Sequence, residues 1–273
     1  MEVVTMVQID RKYRALKEHL AGYDSLIVAF SGGIDSALLL KVAYEVLGDR
    51  VLAVTSDSPS IPRHELEEAK RIAADIGAPL LIVNTNEAEN ESYIENPANR
   101  CYYCKSELYG KLADIARQRG IQYIASGTNY DDLGDYRPGL QAADENKIKS
   151  PLKDAGFSKN DIRELARRLG MDVWDKPAAP CLASRIPYGS KVTPEKLTQV
   201  EKSENILRGY GIRELRVRHF GDKARIEANK DDLSIVSEHL DEIEKRFRTI
   251  GFDRIELKEF KSGALNAFIH VQG

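Results

Sequence analysis

The sequence has 273 residues and a formal net charge of −3, with 40 Lys and Arg against 43 Asp and Glu. Hydrophobic residues make up 42% of it and charged residues 30%, which excludes a disordered chain, a collagen and a disulfide scaffold. The near-neutral net charge of the whole chain does not indicate a nucleic-acid-binding protein. No apolar run approaches the roughly 20 residues of a membrane helix. Residues 1–14 lack the regions of a signal peptide, so we expect a cytoplasmic protein.

The chain contains three cysteines, an odd number that cannot pair completely within one chain. Cys101 and Cys104 form a CxxC pair, whereas Cys181 stands alone. Cysteines of this kind are either small buried apolar residues or the ligands of a metal, cluster or redox site.

Apolar runs and amphipathic segments alternate through the first half of the chain. After an amphipathic helix at 9–22, strands are predicted at 25–30, 51–55, 79–83 and 123–126, and helices at 37–48, 63–77 and 99–120. This alternation predicts an α/β fold with a doubly wound parallel sheet. Ligands of such sheets bind at the carboxyl ends of the strands.

The second half predicts a smaller α+β domain. A helix is expected over 153–170 with Ser158 as its N-cap, and a Pro-rich loop follows at 176–191. Thr193 and Pro194 begin the next helix. The tail is predicted as a hairpin at 214–220 and 223–228, a long helix to about 251 and a strand at 254–260. We therefore expect an α/β domain at 1–175, a loop or linker at 176–192 and a C-terminal α+β domain at 193–273.

A glycine-rich segment, SGGIDS, joins the first predicted strand to the next helix. Gly32 and Gly33 give the backbone freedom and let a ligand approach closely. The helix-start amides, with the hydroxyls of Ser31 and Ser36, are suited to a phosphate, and Asp35 to a divalent cation beside it. The alternative is a tight strand-to-helix turn, because the segment is neither the dinucleotide fingerprint nor the P-loop.

SGGIDS resembles the pyrophosphate loop, or PP-loop, of the ATP-pyrophosphatase superfamily, which is adenine nucleotide alpha hydrolase-like. GMP synthetase, NAD synthetase, argininosuccinate synthetase and tRNA thiolation enzymes belong to it. The resemblance implies that ATP is cleaved between the α- and β-phosphates and that AMP is transferred to a substrate oxygen. It implies pyrophosphate and Mg²⁺ binding by Ser31, Gly32, Gly33, Asp35 and Ser36. It implies a nucleoside pocket formed by Ala29, Phe30, Thr55, Ser56 and Gly127.

The segment at 127–139 follows the fourth predicted strand and carries Asp131, Asp132, Asp135 and Arg137. These acids either cap helices in a solvated turn or form a substrate or Mg²⁺ loop at the carboxyl edge of the sheet. Position favours the second interpretation.

This segment, together with CYYCKSELYGKL, PCLASRIPYG and the RVRxF and ARIE hairpin motifs, resembles the LarE family. These are ATP-dependent sulfur transferases of nickel-pincer nucleotide biosynthesis, which serves lactate racemase maturation. The resemblance implies a pyridinium dicarboxylate mononucleotide as substrate, whose carboxylate is adenylated and converted into a thiocarboxylate. It also implies a homo-oligomer, a sulfide or other sulfur donor, and the other proteins of this biosynthesis as partners.

The resemblance assigns roles to further side chains. Lys105, Ser184 and Arg185 match active-site positions, and the two cations would stabilise an oxyanion. Arg216 and Arg218 share one face of a strand and would grip a substrate phosphate. Glu204 and Glu227 match motif positions and would pair with these arginines. The alternatives are solvated surface charges, with Arg185 anchoring its loop.

Members of the LarE family use sulfur in two ways. In one kind a single Cys, here Cys181, gives up its own sulfur; in the other, three cysteines bind a [4Fe–4S] cluster. Cys101, Cys104 and Cys181 match the second kind, and Cys181 is then both ligand and catalytic residue. Two cysteines three residues apart lie on one helix face, and a helix N-terminus favours thiolates. A redox dithiol, a zinc site and unrelated thiols are the alternatives.

Two rival functions remain. A tRNA thiolation enzyme of the same superfamily would need a basic surface, which the balanced charge argues against. A redox sensor would bind ATP only as a ligand. A small-molecule nucleotide substrate, with no nucleic acid and no membrane, is the preferred prediction.

Overall fold

A computed structural model describes residues 2–134 and 138–260, so Asp135 and Arg137 lie outside the described residues. These residues form two compact units. The first consists of the chain up to Ser58, Arg63–Asn86 and Cys101–Ala179. The second consists of Pro59–Pro62, Glu87–Arg100 and the chain from Pro180. The domain boundaries predicted from the sequence stay a prediction.

The first unit is built on a four-stranded parallel sheet. Its strands are β1 (Leu26–Ala29), β2 (Val51–Asp57), β3 (Leu80–Asn84) and β4 (Tyr123–Ser126), in the order β3-β2-β1-β4. All four were predicted from their apolar runs, and the predicted parallel α/β sheet is confirmed. The order places β1, which precedes the glycine segment, between β2 and β4.

The described helices number eleven between residues 2 and 260. In chain order they are α1 (Glu2–Ala21), α2 (Ile34–Leu47), α3 (Arg63–Ile76), α4 (Glu91–Ile94), α5 (Arg100–Arg119), α6 (Pro138–Glu145), α7 (Pro151–Asp154), α8 (Lys159–Arg168), α9 (Pro194–Arg208), α10 (Lys230–Glu238) and α11 (Leu240–Ile250). No helix in this part of the chain combines the length and apolarity needed to cross a membrane.

Helices cover both faces of the parallel sheet. Ile27 and Val28, neighbours on β1, are fully buried in two different apolar clusters, because successive side chains of a strand point to opposite faces. The cluster around Val28 includes side chains of α1, α2 and α8, and the cluster around Ile27 includes side chains of α5 and α6. The sheet is therefore doubly wound, as expected.

Two predicted helices are each divided in two. The segment at 153–170 forms α7 and α8, separated at Gly156, where φ is +73°. Ser158 caps α8 in a capping box with Asp161, so the predicted N-cap is confirmed while the single helix is wrong. The helix predicted up to 251 is interrupted at His239, where φ is −110° and ψ is 17°.

The second unit contains the predicted α+β tail. β5 (Leu215–Phe220) and β6 (Lys223–Ala228) form the expected antiparallel hairpin, and β7 (Arg254–Glu259) adds to β6 in parallel. Thr193 caps α9 by accepting a hydrogen bond from the Lys196 amide, with Pro194 at the first helical position. Side chains of α9, α10 and α11 pack on this sheet in a third apolar cluster.

Candidate active site

The glycine segment connects the end of β1 to the start of α2. Gly32 has φ +71°, and a Cβ atom there would lie 2.9 Å from the Cβ of Ala69 on α3, so only glycine fits this close approach. Gly33 has an ordinary extended conformation, with φ −78°. Of the two glycines, therefore, only Gly32 adopts a positive φ that favours glycine over other residues.

The two serines of the segment lie side by side. Their hydroxyl oxygens are 3.2 Å apart, the Ser36 hydroxyl donates to the Gly33 carbonyl, and the Ser31 hydroxyl accepts from the Gly33 amide. Gly33 is the N-cap residue of α2 and provides no side-chain acceptor. The first-turn amides of α2 have no intrahelical acceptors, and the positive end of the helix dipole lies with them. This arrangement fits a phosphate group.

The segment after β4 passes directly against the start of α2. A Cβ atom on Gly127 would lie 2.7 Å from the Ser36 amide nitrogen and 2.9 Å from the Asp35 carbonyl carbon. Glycine is therefore required at 127 for backbone packing. Ala29 is the last residue of β1, Phe30 follows it, and Ser56 lies near the end of β2. The residues predicted to bind the nucleoside thus follow three adjacent strands at one edge of the sheet, and their role stays a prediction.

Asp35 forms an ion pair with a residue that lies 124 positions later in the sequence. The Lys159 ammonium lies 2.7 Å from one carboxylate oxygen of Asp35 and 2.6 Å from the other. Lys159 is the first residue of α8, and its amide donates to the Asp131 carboxylate at 2.8 Å. The capping box at Ser158 was the signal that could have located Lys159 at the start of a helix.

The acidic segment after β4 is held by its own carboxylates. Asp131 accepts from the Lys159 amide, and Asp132 accepts from the Asn129 amide at 3.0 Å. A 3₁₀ turn at Tyr130–Gly134 results. Among the described residues, both acids therefore cap local structure, which is the first of the two interpretations considered.

Lys176 connects the glycine segment to α3. Its ammonium lies 2.8 Å from carboxylate oxygens of both Glu65 and Glu68, and it donates to the Gly32 carbonyl at 3.2 Å. Burial acts to raise the pKa of Glu65, but hydrogen bonds from His64 and Lys176 outweigh it and lower this pKa to about 2. Lys176 thereby fixes the carbonyl of Gly32. From the sequence, Lys176 was expected only to begin the Pro-rich loop.

Cys101 and Cys104 lie in the first turns of α5, as predicted. Their spacing puts both side chains on one helix face; Cys101 is exposed and Cys104 is half-buried. Lys105 follows, with its aliphatic chain against α6, where a Cβ atom on Gly139 would lie 3.2 Å from Lys105 Cγ. Two thiols and a cation therefore share the start of one helix.

Cys181 belongs to the second unit, in an irregular segment fixed by Arg185. The Arg185 side chain is 4% exposed, and one of its nitrogens donates to the carbonyls of Pro180 and Cys181, at 2.6 and 3.2 Å. The same nitrogen contacts the Ser184 hydroxyl at 3.0 Å. The remaining nitrogens bind Glu204. In this structure Arg185 anchors the backbone on either side of Cys181.

Two early chain segments also hold this part of the second unit. Asn96 is fully buried with φ +56°, and its amide nitrogen donates to the carbonyls of Ile186, Pro187 and Ser190 at 3.3, 2.7 and 2.9 Å. The Ser60 carbonyl accepts from the Leu182 amide at 2.8 Å. Asn96 was not among the residues predicted from the sequence, although Asn readily adopts positive φ and precedes a proline here.

The predicted arginine and glutamate pairs are confirmed only in part. Arg218 pairs with Glu227 at 2.9 Å and donates to the Ser184 carbonyl at 2.8 Å. Glu204, expected to pair with Arg216 or Arg218, pairs instead with Arg185 and accepts from the Val217 amide. Each glutamate therefore neutralises a buried arginine that also binds the Cys181 segment.

Arg216 differs from these two arginines. Its guanidinium stacks on the Phe260 ring, 4.1 Å from the ring centre. Burial lowers its pKa, and the nearby charges of Arg185 and Arg218 add to this effect. Its Nη1 atom is buried without a hydrogen-bond partner among the described residues. Arg216 thus has a donor to offer to an anion.

No three His, Cys, Asp or Glu side chains are grouped to hold a metal ion in residues 2–134 and 138–260. Cys101 and Cys104 belong to the first unit and Cys181 to the second. Cysteine thiolates are the usual ligands of an iron–sulfur cluster, so these residues fit it chemically, and three of them would leave one iron of a [4Fe–4S] cluster without a protein ligand. The cluster stays a prediction.

A family model described as NAD synthase matches residues 9–119, which include the glycine segment. An uncharacterized protein of Synechocystis sp. is 42% identical over 262 residues, 94% of this chain and 98% of its own. The pyridinium-3,5-bisthiocarboxylic acid mononucleotide synthase of Lactiplantibacillus plantarum is 35% identical over 264 residues, 96% of each chain. An uncharacterized protein of Methanocaldococcus jannaschii is 34% identical over 230 residues, 84% of this chain and 87% of its own.

The doubly wound sheet, the glycine segment at its carboxyl edge and the NAD synthase match are those of an ATP-using PP-loop enzyme. The similarity to the Lactiplantibacillus plantarum synthase extends along nearly the whole chain and identifies the branch of PP-loop enzymes to which the chain belongs. The chain belongs to the LarE family of ATP-dependent sulfur-transferring enzymes.

Proposed function

We propose that this enzyme adenylates a carboxylate of a pyridinium dicarboxylate mononucleotide and converts it into a thiocarboxylate, as a step of nickel-pincer nucleotide biosynthesis. The observation that carries the proposal is the 35% identity over 96% of both chains to a synthase of pyridinium-3,5-bisthiocarboxylic acid mononucleotide. The product in that name contains two thiocarboxylates, so the synthase must replace carboxylate oxygen by sulfur.

ATP is needed because a carboxylate is a poor electrophile. Direct attack by sulfur would have to expel oxide, whereas attack on an acyl-adenylate expels AMP. In the first step a carboxylate oxygen bonds to the α-phosphorus of ATP and pyrophosphate leaves. In the second step sulfur bonds to the acyl carbon and AMP leaves with the former carboxylate oxygen.

The first-turn amides of α2 and the hydroxyls of Ser31 and Ser36 would receive the departing pyrophosphate. The support is the close-packed backbone at Gly32 and Gly127, together with the absence of a side-chain cap at Gly33. Asp35 would bind Mg²⁺ through its carboxylate, because this ion prefers oxygen ligands. Ala29, Phe30 and Ser56 would contact the nucleoside.

Cys101, Cys104 and Cys181 would hold a [4Fe–4S] cluster. When bound, such a cluster would pass sulfide from the sulfur donor to the acyl carbon. The helix-start position of Cys101 and Cys104 favours their thiolate forms. Lys105, one residue beyond the pair, would stabilise the oxyanion that forms at the acyl carbon. Arg185 and Ser184 would act on Cys181 by fixing its backbone.

Arg216 would bind the phosphate of the mononucleotide. The support is its buried Nη1 donor, which no described residue accepts. Arg218 would assist through its charge, since its guanidinium already binds Glu227 and the Ser184 carbonyl. Sulfide or another sulfur donor, further proteins of the same biosynthesis and a homo-oligomer complete the proposed partners.

The test is to incubate the anaerobically prepared protein with ATP, Mg²⁺, sulfide and the pyridinium dicarboxylate mononucleotide. We expect release of AMP and pyrophosphate, a product with sulfur in place of oxygen, and an unchanged protein mass. Pyrophosphate release that stays at background contradicts the proposal. A protein lighter by the elements of H₂S assigns Cys181 as the consumed donor, and salt-dependent tRNA binding favours tRNA thiolation.

A further inference from the structure

One ion pair borders the proposed phosphate site. The Lys159 ammonium contacts both carboxylate oxygens of Asp35, at 2.7 and 2.6 Å. Asp35 belongs to the glycine segment and lies in the first turn of α2. The oxygen atoms that a divalent cation would use are therefore already bound by a monovalent one. Lys159 and a metal ion cannot use the same lone pairs at once.

We propose that Lys159 takes the place of Mg²⁺ on Asp35 in the nucleotide-free protein and moves to the phosphates of ATP when the ion binds. The proposal rests on the proposed use of Mg²⁺ and ATP at the glycine segment, and not on the sulfur step. The ammonium is the stand-in cation that shows this carboxylate to be suited to a positive ion. Three N–H donors make the same ammonium a ligand for phosphate oxygens.

The backbone of Lys159 is held firmly, while its side chain is free to exchange partners. Its amide donates to Asp131, and the capping box of Ser158 and Asp161 fixes the helix start next to it. The ion pair itself is partly exposed to solvent, with side chains 34% and 27% exposed. An ion pair that solvent reaches contributes about 1 kcal/mol or less to stability. Breaking the pair therefore leaves the fold intact.

The exchange would keep the local charge balanced. Without nucleotide, Lys159 neutralises Asp35 beside helix amides that themselves attract anions. With nucleotide, the metal ion neutralises Asp35, and Lys159 meets part of the added phosphate charge. Lys176, which also lies beside the glycine segment, does not have the same opportunity, since its side chain is 10% exposed and bound by two glutamates.

The experiment compares Lys159→Met with the wild type in two binding measurements. Electron paramagnetic resonance follows Mn²⁺ binding without nucleotide, and calorimetry follows an ATP analogue with a methylene group between the α- and β-phosphates, in the presence of Mn²⁺. We expect Mn²⁺ alone to bind about fivefold more tightly, because its competitor is gone. We expect the analogue to bind about tenfold more weakly, because a charged phosphate contact is lost.

Three controls make these opposite changes decisive. Lys159→Gln repeats the test with a polar side chain, and Asp35→Asn combined with Lys159→Met must abolish the added Mn²⁺ binding. Lys12→Met removes a neighbouring pair, Lys12 with Asp161 at 2.6 Å, and must leave both measurements unchanged. The proposal is overturned if Lys159→Met shifts the two affinities in the same direction or shifts neither. Because neither measurement involves sulfur, failure here is distinct from failure to form a thiocarboxylate.

Discussion

Arg185 and Glu204 form a two-pronged ion pair in the interior of the second unit, with N–O distances of 2.8 and 3.2 Å. Their side chains are 4% and 2% exposed. The guanidinium nitrogen that does not face Glu204 binds the carbonyls of Pro180 and Cys181. The glutamate thus fixes the arginine, and the arginine fixes the backbone that carries Cys181.

Glu204→Gln should lower the free energy of unfolding by about 3 kcal/mol, because it leaves the buried Arg185 charge uncompensated. Urea unfolding at neutral pH measures the loss. Arg208→Met is the matched control, since Arg208 lies 3.5 Å from the same carboxylate on the outer side and is more exposed. The control should cost about 1 kcal/mol or less. Equal losses in both variants would contradict the anchoring role.

Gly32→Ala should abolish nucleotide binding and also lower the free energy of unfolding. An added Cβ would meet Ala69 at 2.9 Å and would require φ +71° of an alanine. Gly156→Ala supplies the control, because Gly156 has φ +73° with nothing within 4 Å. The control should cost about 1 kcal/mol from the backbone alone, and Gly32→Ala should cost more. Calorimetry with an ATP analogue should show binding only in the control.

Glu65→Gln should change how stability depends on pH. The pKa of Glu65 is lowered from 4.5 to about 2, so its contribution is fully present above pH 4.5 and is lost as the pH falls from 4.5 towards 2. That contribution is about 3 kcal/mol. Urea unfolding should therefore show the wild type and Glu65→Gln well separated at pH 7 and converging near pH 2.5.

A neighbouring residue provides the reference for this pH series. Glu67 is 68% exposed and pairs with Lys70 on the surface of α3. Glu67→Gln should stay within about 0.5 kcal/mol of the wild type at every pH. A constant gap between the wild type and Glu65→Gln across the series would show that Lys176 does not hold this carboxylate in its charged form.

Arg216→Met and Arg218→Met should separate substrate binding from stability. Loss of the Arg216 donor should weaken mononucleotide binding by about ten- to a hundredfold, the range of a charged hydrogen bond. Arg218→Met should instead destabilise the protein by about 3 kcal/mol, because Glu227 is left buried and unpaired. Calorimetry and urea unfolding measure the two effects. Unchanged affinity in Arg216→Met would remove that residue from the site.

Iron uptake tests the three cysteines. After anaerobic reconstitution with iron and sulfide, the wild type should take up about four irons per chain. A variant with Cys101→Ala, Cys104→Ala and Cys181→Ala should take up none. Absorption and Mössbauer spectra identify the cluster type. Equal iron in both proteins would refute the cluster, and zinc retained by the wild type alone would replace it with a zinc site.

The strands and most helices were predictable because their signals are local. Apolar runs marked all four strands of the parallel sheet, and the Ser158 capping box marked the start of α8. The single helix expected over 153–170 is divided because Gly156 takes a positive φ, which separates α7 from the capped start of α8. The break at His239 has no comparable signal, since neither glycine nor proline stands there.

The motifs of the candidate site were predictable from the sequence, but the side chains that contact those motifs were not. Ser31, Gly32 and Asp35 were recognised because they lie in one short segment. Lys159 reaches Asp35 across 124 residues, and Lys176 reaches Gly32 across 144. Such pairings depend on how the chain folds back on itself. The hydrophobic periodicity and the motif spacing of the sequence give no signal for these two long-range contacts.

Asn96 has a consequence for how the protein is made. It is buried against carbonyls that lie 90, 91 and 94 residues later in the chain, and the Ser60 carbonyl likewise accepts from Leu182. On the ribosome, both early segments emerge long before their acceptors and donors exist. A fragment that stops before residue 180 would leave the Asn96 amide without its three carbonyl acceptors. A fragment that starts at residue 180 would lack Ser60 and Asn96, which hold the backbone near Cys181. The second unit is thus completed only after most of the polypeptide has been synthesised, and neither half is suited to expression alone.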